Sequence, residues 1–464
     1  MKKRFILMVI CMLCVALFAG MFEGCAKPSN DNPDTPIVNP VDPDNPDNPD
    51  NPDNPDNPDN PDNPDNPDDP DDPPATNALT ITAPKGEVVP YAGSIKNYLQ
   101  AGAGANVSNY YEKMNSQWAP VQIQWSYTEG AVRKFIVEYG TESDFSDAIS
   151  VEARMRDRSI EVYNLYKAAK YYVRVKAVST SGEVIHTATG EFTTTALGPR
   201  FMKVDEVFNV RDIGGHEVSS GKTLVQGIAY RGGCLNKPAR PENNGYYNEI
   251  DENGKAYMSE VMGIKTEIDF RTAAESGITL EQGSLIPGAN LIYVPVSGYE
   301  SVLINYKTQY KEFFSILADE SNYPVFMHCT GGADRTGTAV FLLQALLGVS
   351  ELECIQGYEL TSFSYYGLRN TQGNYQDKFD PFLARIATFD GNTLQEKIES
   401  WVLSIGVTQA QIDNIRAIFR GEVAVDAPEL YNPNTSAAFS AAPKGATADI
   451  RLNMSQLLVK KDED

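Results

Sequence analysis

Residues 324–347, PVFMHCTGGADRTGTAVFLLQALL, decide the fold of the chain. The apolar run Val325–Met327 predicts a buried strand, and the apolar residues within 336–347 predict a buried helix. A short loop joins the two, so a strand leads through a tight turn directly into a helix. Further strand candidates alternate with helical stretches on both sides of this unit. The pattern therefore predicts an α/β domain with a mostly parallel central sheet.

The loop inside this stretch has the composition of an anion site. Backbone N–H groups and the helix dipole at a helix N-terminus both favour an anion. Gly331 and Gly332 lack a Cβ and are free to adopt the φ values that such a nest of amides needs. The same field favours the thiolate of Cys329 over its thiol. The planar guanidinium of Arg335 can bind two phosphoryl oxygens at once. The loop is therefore suited to holding a phosphate against a thiolate.

Two side chains beside the loop add proton chemistry. Asp334 is a carboxyl group able to protonate a leaving oxygen, and Thr336 can donate its hydroxyl to the sulfur. A nucleotide-binding loop is excluded, because the frame Gly332-x4-Gly337 is followed by Thr338 where that motif demands lysine. A Cys/His protease is disfavoured as well, because adjacent residues at a strand end point to opposite faces.

The motif His328-Cys329-x5-Arg335-Thr336-Gly337 resembles the signature loop of the protein tyrosine phosphatase superfamily. The form H-C-x-x-G-x-D-R-T-G is most similar to the bacterial tyrosine/serine protein phosphatase-like branch, which includes phosphoinositide-active members. Other stretches match that branch in order over about residues 200–421. They are Asn209-Val210-Arg211-Asp212-Ile213-Gly214-Gly215, Ala229-Tyr230-Arg231, Ile268-Asp269-Phe270-Arg271, Leu346-Leu347-Gly348-Val349-Ser350 and Ser404-Ile405-Gly406-Val407-Thr408.

The resemblance implies a two-step hydrolysis of phosphomonoesters through a phosphocysteine, without metal or cofactor. The implied catalytic residues are Cys329, Asp334 and Arg335. The implied phosphate-binding residues are Thr330, Gly331, Gly332, Ala333 and Thr336, and the supporting residues are His328, Arg231, Asp269 and Arg271. Asp269 and Asp212 stay open as alternative acids. His328 is expected to brace the loop rather than act as a base.

The substrate expectation depends on one departure from the family pattern. The branch often has lysine before the loop aspartate, where this sequence has Ala333. Losing that positive charge favours phosphotyrosine, with related protein substrates, or small phosphomonoesters. Phosphoinositide or inositol phosphate hydrolysis is the alternative. An inactive phosphatase-fold module that only binds partners is the rival of another class.

Residues 1–25 resemble the signal peptide of a bacterial lipoprotein. Lys2, Lys3 and Arg4 precede an apolar run that is too short to span a bilayer, and Gly24-Cys25 follows. Cys25 is therefore expected to carry a lipid after export. The predicted location is a bacterial membrane, at the periplasmic or surface face of the outer membrane. Plain secretion after another cleavage is the alternative.

Residues 26–76 contain an Asn-Pro-Asp repeat that predicts a disordered linker. Proline at every third position removes backbone donors, and the aspartates repel one another. Fifteen aspartates from Asp31 to Asp72 supply most of the net charge of −23 and leave −8 for all other residues. The rest of the chain is only mildly acidic, so nucleic-acid binding through a broad basic surface is not expected. Calcium binding by the repeat is a weaker alternative to a spacer.

Residues 77–197 show the alternation of half-buried strands, in Val121/Ile123/Trp125, Phe135/Val137/Tyr139 and Tyr171/Val173/Val175/Ala177. Leu165 and Tyr171 resemble the tyrosine corner of a fibronectin type III domain, and Trp125 resembles its core tryptophan. An all-β sandwich is therefore expected, for spacing or docking. The segment 85–120 finds no place in such a sandwich.

Residues 200–425 are the predicted phosphatase domain, and residues 426–464 are an extension without clear signals. The other strand candidates are Leu224–Tyr230, Lys265–Phe270 and Leu291–Val296; the helix candidates are Ile304–Ala318 and Thr336–Leu347, with a helix-turn-helix over 394–419. Arg231, Asp269 and Arg271 fall at strand ends and should line the mouth of the site, or else form a salt-bridged sheet edge. Cys354 is expected in the core, and Cys234 is expected as a free thiol, with a disulfide to Cys329 as the alternative.

Overall fold

The structure is a computed structural model, and it describes residues 78–113, 117–236 and 249–434. The predicted signal peptide with Cys25, the repeat linker and residues 435–464 lie outside these ranges. Within the described ranges, no helix is both long enough and apolar enough to cross a bilayer.

The first described part of the chain is built from β-strands. They are β1 (Leu79–Ala83), β2 (Gly86–Val88), β3 (Val121–Tyr127), β4 (Lys134–Gly140), β5 (Ile149–Arg154), β6 (Ser159–Val162), β7 (Lys170–Val178) and β8 (Val184–Thr194). One sheet has the order β1-β3-β6 and the other β2-β8-β7-β4-β5, with antiparallel pairs except β2 with β8. The alternating apolar residues of β3, β4 and β7 are buried, as predicted. Both sheets contribute to one hydrophobic cluster.

Tyr171 fixes the turn that precedes β7. Its hydroxyl accepts the backbone N–H of Tyr166 at 2.9 Å, and its ring stacks on Phe192. Trp125 is 2% exposed and packs against Phe135. Trp125 is thus a core residue, and the Tyr171 hydroxyl binds the backbone five residues upstream.

The segment that the sequence left unplaced forms helix α1 (Gly93–Ala101), followed by a 3-10 turn at Val107–Asn109. Ile95, Tyr98 and Leu99 recur at helical spacing and are buried. They pack in a cluster that includes Phe201 and Phe363 from later in the chain. The segment therefore lies against the second part of the chain.

A five-stranded sheet forms the centre of the second part. Its strands are β9 (Arg211–Asp212), β10 (Ala229–Gly232), β11 (Thr266–Asp269), β12 (Asn290–Tyr293) and β13 (Val325–His328), in the order β12-β11-β13-β10-β9. All neighbours are parallel except β9, which is antiparallel to β10. The predicted mostly parallel sheet is confirmed.

The strand predicted at Leu224–Tyr230 begins too early. Gly227 has a φ of 88°, which interrupts an extended strand, and Gln226 instead forms a bridge with Tyr431. The strand β10 therefore starts only at Ala229.

Helices cover this sheet. They are α2 (Glu252–Ala256), which continues into a π-helical turn at Tyr257–Val261, α3 (Ala273–Ser276), α4 (Glu300–Asn305), α5 (Lys307–Leu317), α6 (Asp334–Leu347), α7 (Glu351–Glu359), α8 (Gln376–Ala387), α9 (Leu394–Ser404) and α10 (Gln409–Phe419). Short 3-10 turns occupy Glu320–Asn322 and Leu360–Phe363. The helix predicted over 304–318 breaks at Tyr306. The pair α9 and α10, with Thr408 as cap, is confirmed.

Residues 426–434 pack against the fold, although no pattern in their sequence predicts it. Leu430 joins the hydrophobic cluster of the helices and central sheet, whereas Tyr431 joins the cluster of the N-terminal sheets. The ring of Tyr431 stacks on Tyr166, and the carboxylate of Glu429 accepts from Arg200 at 3.2 Å and from Tyr230 at 3.2 Å. This segment therefore bridges both parts of the fold.

Candidate active site

The loop between β13 and α6 spans residues 329–333, as the sequence predicts. Gly332 has a φ of 62°, and a Cβ there would collide with the carbonyl oxygen of Gly232. Gly331 does not share this conformation; a Cβ added there would approach the ring of Tyr366 to 3.1 Å. Only Gly332 thus needs the left-handed region that the sequence argument assigned to both glycines.

Three contacts hold the carbonyl groups of this loop. Asn209 Nδ2 donates to the Gly331 carbonyl at 3.1 Å, and Arg231 Nη2 donates to the Gly332 carbonyl at 2.5 Å. The backbone N–H of Cys234 donates to the Thr330 carbonyl at 3.0 Å. In a trans peptide the following N–H points the opposite way. The N–H groups of residues 331–333 are therefore directed away from these donors.

Cys329 lies at the carboxyl end of β13 and is 3% exposed. Three arginines are close enough for their charges to interact with its sulfur, namely Arg231, Arg271 and Arg335. The loop thus places a single buried thiol among positive charges.

The other two described cysteines are also free thiols. Burial raises the pKa of Cys234 to about 11, although the charge of Arg271 opposes this. Cys354 is 1% exposed and lies in the core, as predicted. The structure contains no disulfide between Cys234 and Cys329.

Arg335 is paired with Glu275, a residue that the sequence analysis missed. Its Nη1 and Nη2 donate to the two carboxylate oxygens at 2.8 and 2.5 Å. These hydrogen bonds raise the pKa of Arg335. Thr272 caps helix α3 and accepts the backbone N–H of Glu275 at 3.1 Å, which fixes the carboxylate's position. The plane of the guanidinium is therefore set by a residue 60 positions upstream.

Asp334 is held by two further residues that the sequence analysis missed. Arg369 donates from Nε at 3.1 Å and from Nη2 at 3.3 Å, and the hydroxyl of Tyr299 donates to the same carboxylate. Tyr358 lies 2.7 Å from the Tyr299 hydroxyl. The pKa of Tyr299 is raised by burial and then by Tyr358 and Asp334, so this phenol stays a donor at neutral pH. Asp334 itself is 39% exposed at its side chain.

His328 points beneath the loop. Its Nε2 donates to Glu267 at 2.7 Å, its ring stacks on Phe326, and it is fully buried. Its Nδ1 lies 3.3 Å from the Cys329 carbonyl oxygen, and its role as a brace of the loop stays a prediction. Among the described residues, Glu267, Asp269 and His328 are close enough to share a metal ion. Arg271, however, already donates to both oxygens of Asp269 at 2.8–3.0 Å, and its positive charge disfavours a cation there.

The expectation that Arg231, Asp269 and Arg271 line the mouth of the site is wrong. They are 4%, 1% and 1% exposed, respectively, and lie beneath the loop. Asp269 and Arg271 form a buried ion pair, which agrees with the salt-bridge alternative. Burial opposes ionisation of Asp269, but His328 and Arg271 lower its pKa below the ordinary value. Both of its carboxylate oxygens are bound by Arg271, so the geometry disfavours Asp269 as the proton donor.

Asp212 lies apart from the loop. It accepts the N–H groups of Gly214 and Gly227 at 2.8 Å each and pairs with Arg200 at 3.4 Å. Burial raises the pKa of Asp212. None of its hydrogen-bond and ion-pair partners, however, belongs to residues 329–335. The geometry thus favours Asp334 over both alternative acids.

The remaining predicted residues occupy the loop and the first turn of α6. Thr336 is fully buried, and its hydroxyl has no hydrogen-bond partner among the described residues, the sulfur of Cys329 included. Ala333 is 1% exposed, and Thr330 is partly exposed. The hydrogen bond expected from Thr336 to the sulfur is therefore not formed in this structure.

Comparison with known proteins supports the assignment of this region. Residues 202–420 match the model of a family described as the tyrosine phosphatase family. A protein of Cupriavidus necator named "Putative tyrosine-protein phosphatase" is 24% identical over 186 residues, covering 35% of this chain and 63% of the relative. A tyrosine-protein phosphatase of Nostoc commune is 26% identical over 121 residues, covering 22% of this chain and 41% of the relative.

The chain thus spans less than two thirds of the length of these curated relatives. Among solved structures, the core catalytic domain of a PP-IP phosphatase from S. cerevisiae in complex with citrate is 19% identical. The match covers 38% of this chain and 91% of that chain, with a TM-score of 0.22.

Proposed function

We propose that residues 200–425 form a cysteine-dependent phosphatase that hydrolyses phosphomonoesters through a phosphocysteine, without metal. One observation carries the proposal: Cys329 ends a buried central strand and opens a loop whose carbonyls are bound from outside by Asn209, Arg231 and Cys234. The amides that alternate with those carbonyls face the other way, and the N-terminus of α6 follows directly. Such a cradle binds a phosphoryl group.

In the first step, the thiolate of Cys329 attacks phosphorus in line with the leaving oxygen. A sulfur–phosphorus bond forms, the phosphorus–oxygen bond breaks, and Asp334 gives its proton to the departing alcohol or phenol. Arg335 and the loop amides hold the three equatorial oxygens. Since Glu275 fixes one edge of the guanidinium, the remaining donors are oriented before the substrate arrives.

In the second step, water attacks the phosphocysteine. Asp334 accepts a proton from the water, the sulfur–phosphorus bond breaks, and inorganic phosphate leaves with Cys329 again a thiolate. The free hydroxyl of Thr336 is available to donate to the departing sulfur. Tyr299 and Arg369 keep Asp334 above the loop through both steps.

For the substrate, we propose phosphotyrosine in proteins or a small phosphomonoester. Ala333 is buried and adds no charge to the loop. A lysine at this position would favour a multiply phosphorylated ligand, and alanine removes that preference. Side-by-side assays of phosphotyrosine peptides, phosphoserine peptides, phosphoinositides and phytate test this choice. A higher kcat/KM for phosphoinositides or phytate would contradict it.

For the rest of the chain, we propose a lipoprotein signal peptide at 1–25, with a lipid attached to Cys25 as the membrane anchor. We further propose a repeat linker at 26–76 and a fibronectin type III-like domain at 77–197. Two sheets with a common hydrophobic cluster and the Tyr171 contact support the third assignment. Metabolic labelling with palmitate in cells expressing the chain, against Cys25→Ala, tests the first.

The phosphoenzyme tests the activity directly. Acid quenching after mixing the full chain with a ³²P-labelled phosphotyrosine peptide should leave label on the protein, and Cys329→Ser should leave none. The turnover of Cys329→Ser should fall below about 1% of the wild type, since loss of a nucleophile costs roughly 10⁴-fold or more. Turnover without any trapped label in the wild type would contradict the cysteine mechanism; neither turnover nor label would indicate a binding module.

A further inference from the structure

A cavity of about 100 Å³ lies behind the candidate catalytic loop, between residues 196–199, which follow β8, and helix α7. Arg211 and Arg231 line it from the central sheet, and Gln356 lines it from α7. One water needs roughly 10–15 Å³ of such space. The cavity is therefore large enough for several waters or for one small polyatomic ion.

Three hydrogen-bond donors on residues that line this cavity have no acceptor among the described residues. They are Nε of Arg211, Nε of Arg231 and Nε2 of Gln356. The side chains belong to residues that are 1%, 4% and 7% exposed, respectively. Buried donors without acceptors are rare, because leaving one unsatisfied costs about 1–3 kcal/mol. Three in one cavity point to an acceptor that binds there.

The carboxylates that line the same cavity are already bound to other groups. The carboxylate of Asp212 accepts the N–H groups of Gly214 and Gly227, and that of Glu353 accepts from His216 at 3.0 Å. Glu353 also accepts from Ser350 at 2.7 Å. The cavity thus has spare donors, and its own carboxylates are bound to other groups.

The two arginines also have no carboxylate partner in the described part of the chain, although the sulfur of Cys329 lies close enough to interact with Arg231. Neither Arg211 nor Arg231 forms an ion pair within the described ranges. Arg211 donates to the carbonyl of Gly357 at 2.6 Å and to Thr361 at 3.0 Å, which are uncharged groups. Burial and the charge of Arg231 lower the pKa of Arg211 well below its ordinary value, and burial lowers that of Arg231 to about 10. A buried anion would offset both penalties.

We propose that this cavity is a second anion site, distinct from the catalytic loop, that binds one small inorganic oxoanion of the phosphate or sulfate class. Its ligands are the free N–H groups of Arg211, Arg231 and Gln356. The site adjoins the loop, since Arg231 also donates to the Gly332 carbonyl. An anion there would neutralise the arginine that supports the loop from behind.

Equilibrium dialysis of the full chain against ³⁵S-sulfate tests the proposal without turnover. Sulfate is not hydrolysed, so the count of sites does not depend on the catalytic mechanism. We expect Gln356→Met to weaken one sulfate site by roughly tenfold, because one hydrogen bond to a charged group is lost. Arg335→Met should leave this site unchanged, since Arg335 does not line the cavity.

Gln344→Met is the matched control. Gln344 lines the same cavity, but its amide nitrogen is already bonded to His216 at 3.1 Å. We expect this variant to keep wild-type sulfate affinity. Equal weakening by Gln356→Met and Gln344→Met would overturn the proposal, as would sulfate binding that Arg335→Met abolishes entirely.

Crystals of the full chain grown with sodium selenate locate the anion, because selenium scatters anomalously. We expect an anomalous peak within hydrogen-bond distance of Arg211 Nε and Gln356 Nε2, and a weaker peak in Gln356→Met at the same selenate concentration. Density for water alone would overturn the proposal. So would a peak in the crystal without binding in dialysis, which would mean an adventitious ion only.

Discussion

Arg369 contacts Asp334 with two nitrogens, Nε at 3.1 Å and Nη2 at 3.3 Å, although 35 residues separate them in the chain. The segment that carries Arg369 is itself held from the N-terminal part. Asn370 Nδ2 donates to Asn106 at 2.9 Å and to Ser108 at 2.7 Å. The position of Asp334, the proposed acid, thus depends on Asn106 and Ser108, which lie more than 220 positions upstream of it.

Arg369→Met should slow hydrolysis mainly for poor leaving groups. Without its guanidinium, Asp334 loses two of the hydrogen bonds that hold it over the loop. General acid catalysis contributes about 10²–10⁴-fold, and misplacing the acid should forfeit roughly ten- to a hundredfold of that. The measurement is kcat on phenyl phosphate against para-nitrophenyl phosphate, whose phenolate leaves without help. Arg385→Met, which removes an exposed pair with Glu300, is the control. Equal losses on both substrates would show that Arg369 does not act through the acid.

Gly332→Ala should lower kcat/KM by about a hundredfold or more. The residue has a positive φ, and a Cβ would collide with the Gly232 carbonyl, so the loop must move. Gly331→Ala is the matched comparison, because its Cβ would only approach the Tyr366 ring to 3.1 Å. We expect a much smaller loss there. Both variants should be compared by kinetics after circular dichroism has shown that they fold; similar activities in the two would contradict the assigned geometry.

Tyr98→Phe should destabilise the fold by about 1–2 kcal/mol. Its hydroxyl donates to the buried carboxylate of Glu359, which also accepts from the backbone N–H of Thr371 at 2.8 Å. Removing the donor leaves one carboxylate oxygen without this partner in a buried site. Urea unfolding measures the change. Tyr111→Phe, at a residue 39% exposed, serves as the control. If the free energy of unfolding changes by less than about 0.3 kcal/mol in both variants, α1 contributes little to stability through the contact of Tyr98 with Glu359.

The pH dependence of stability should reveal Lys167. Burial lowers the pKa of Lys167 to about 8, against roughly 10.4 when unfolded. Between these values the unfolded chain binds more protons than the folded chain, so stability rises with pH. The shift corresponds to roughly 3 kcal/mol. It destabilises the fold below pH 8, and this cost is removed as pH rises from 8 to about 10.4.

The measurement is the unfolding free energy of the wild type minus that of Lys167→Met, at several pH values. We expect this difference to rise between pH 8 and about 10.4. The other titratable groups are the same in both proteins, so their contributions cancel in the difference. Lys222→Met, which removes an ammonium group at the surface, serves as the exposed comparison. Parallel curves for wild type and Lys167→Met would contradict the buried position of the ammonium group.

The sequence predicted the features that depend on neighbours along the chain. The loop, the start of α6 and the cap at Thr408 follow from local spacing and were placed within two residues. Glu275, Tyr299 and Arg369 were missed, because nothing in their surroundings shows that they meet residues 334 and 335. Helix α1 was readable in principle, since Ile95, Tyr98 and Leu99 have helical spacing.

The error over the strand ends has a physical cause. Residues at the carboxyl ends of parallel strands are expected to face a ligand. In this sheet, however, Arg231 turns under the loop to bind the Gly332 carbonyl, and Arg271 folds back onto Asp269. Hydrogen bonds to groups far along the chain decided these orientations, and a pattern in one strand does not contain them.

The segment 427–431 has a consequence for biosynthesis. Leu430 completes one hydrophobic cluster and Tyr431 another, so neither half of the described fold can close fully on the ribosome until residue 431 has emerged. An expression fragment cut at residue 420, the end of the family match, would leave both halves without their last apolar side chain. Glu429 would be missing from Arg200 and Tyr230 in the same fragment.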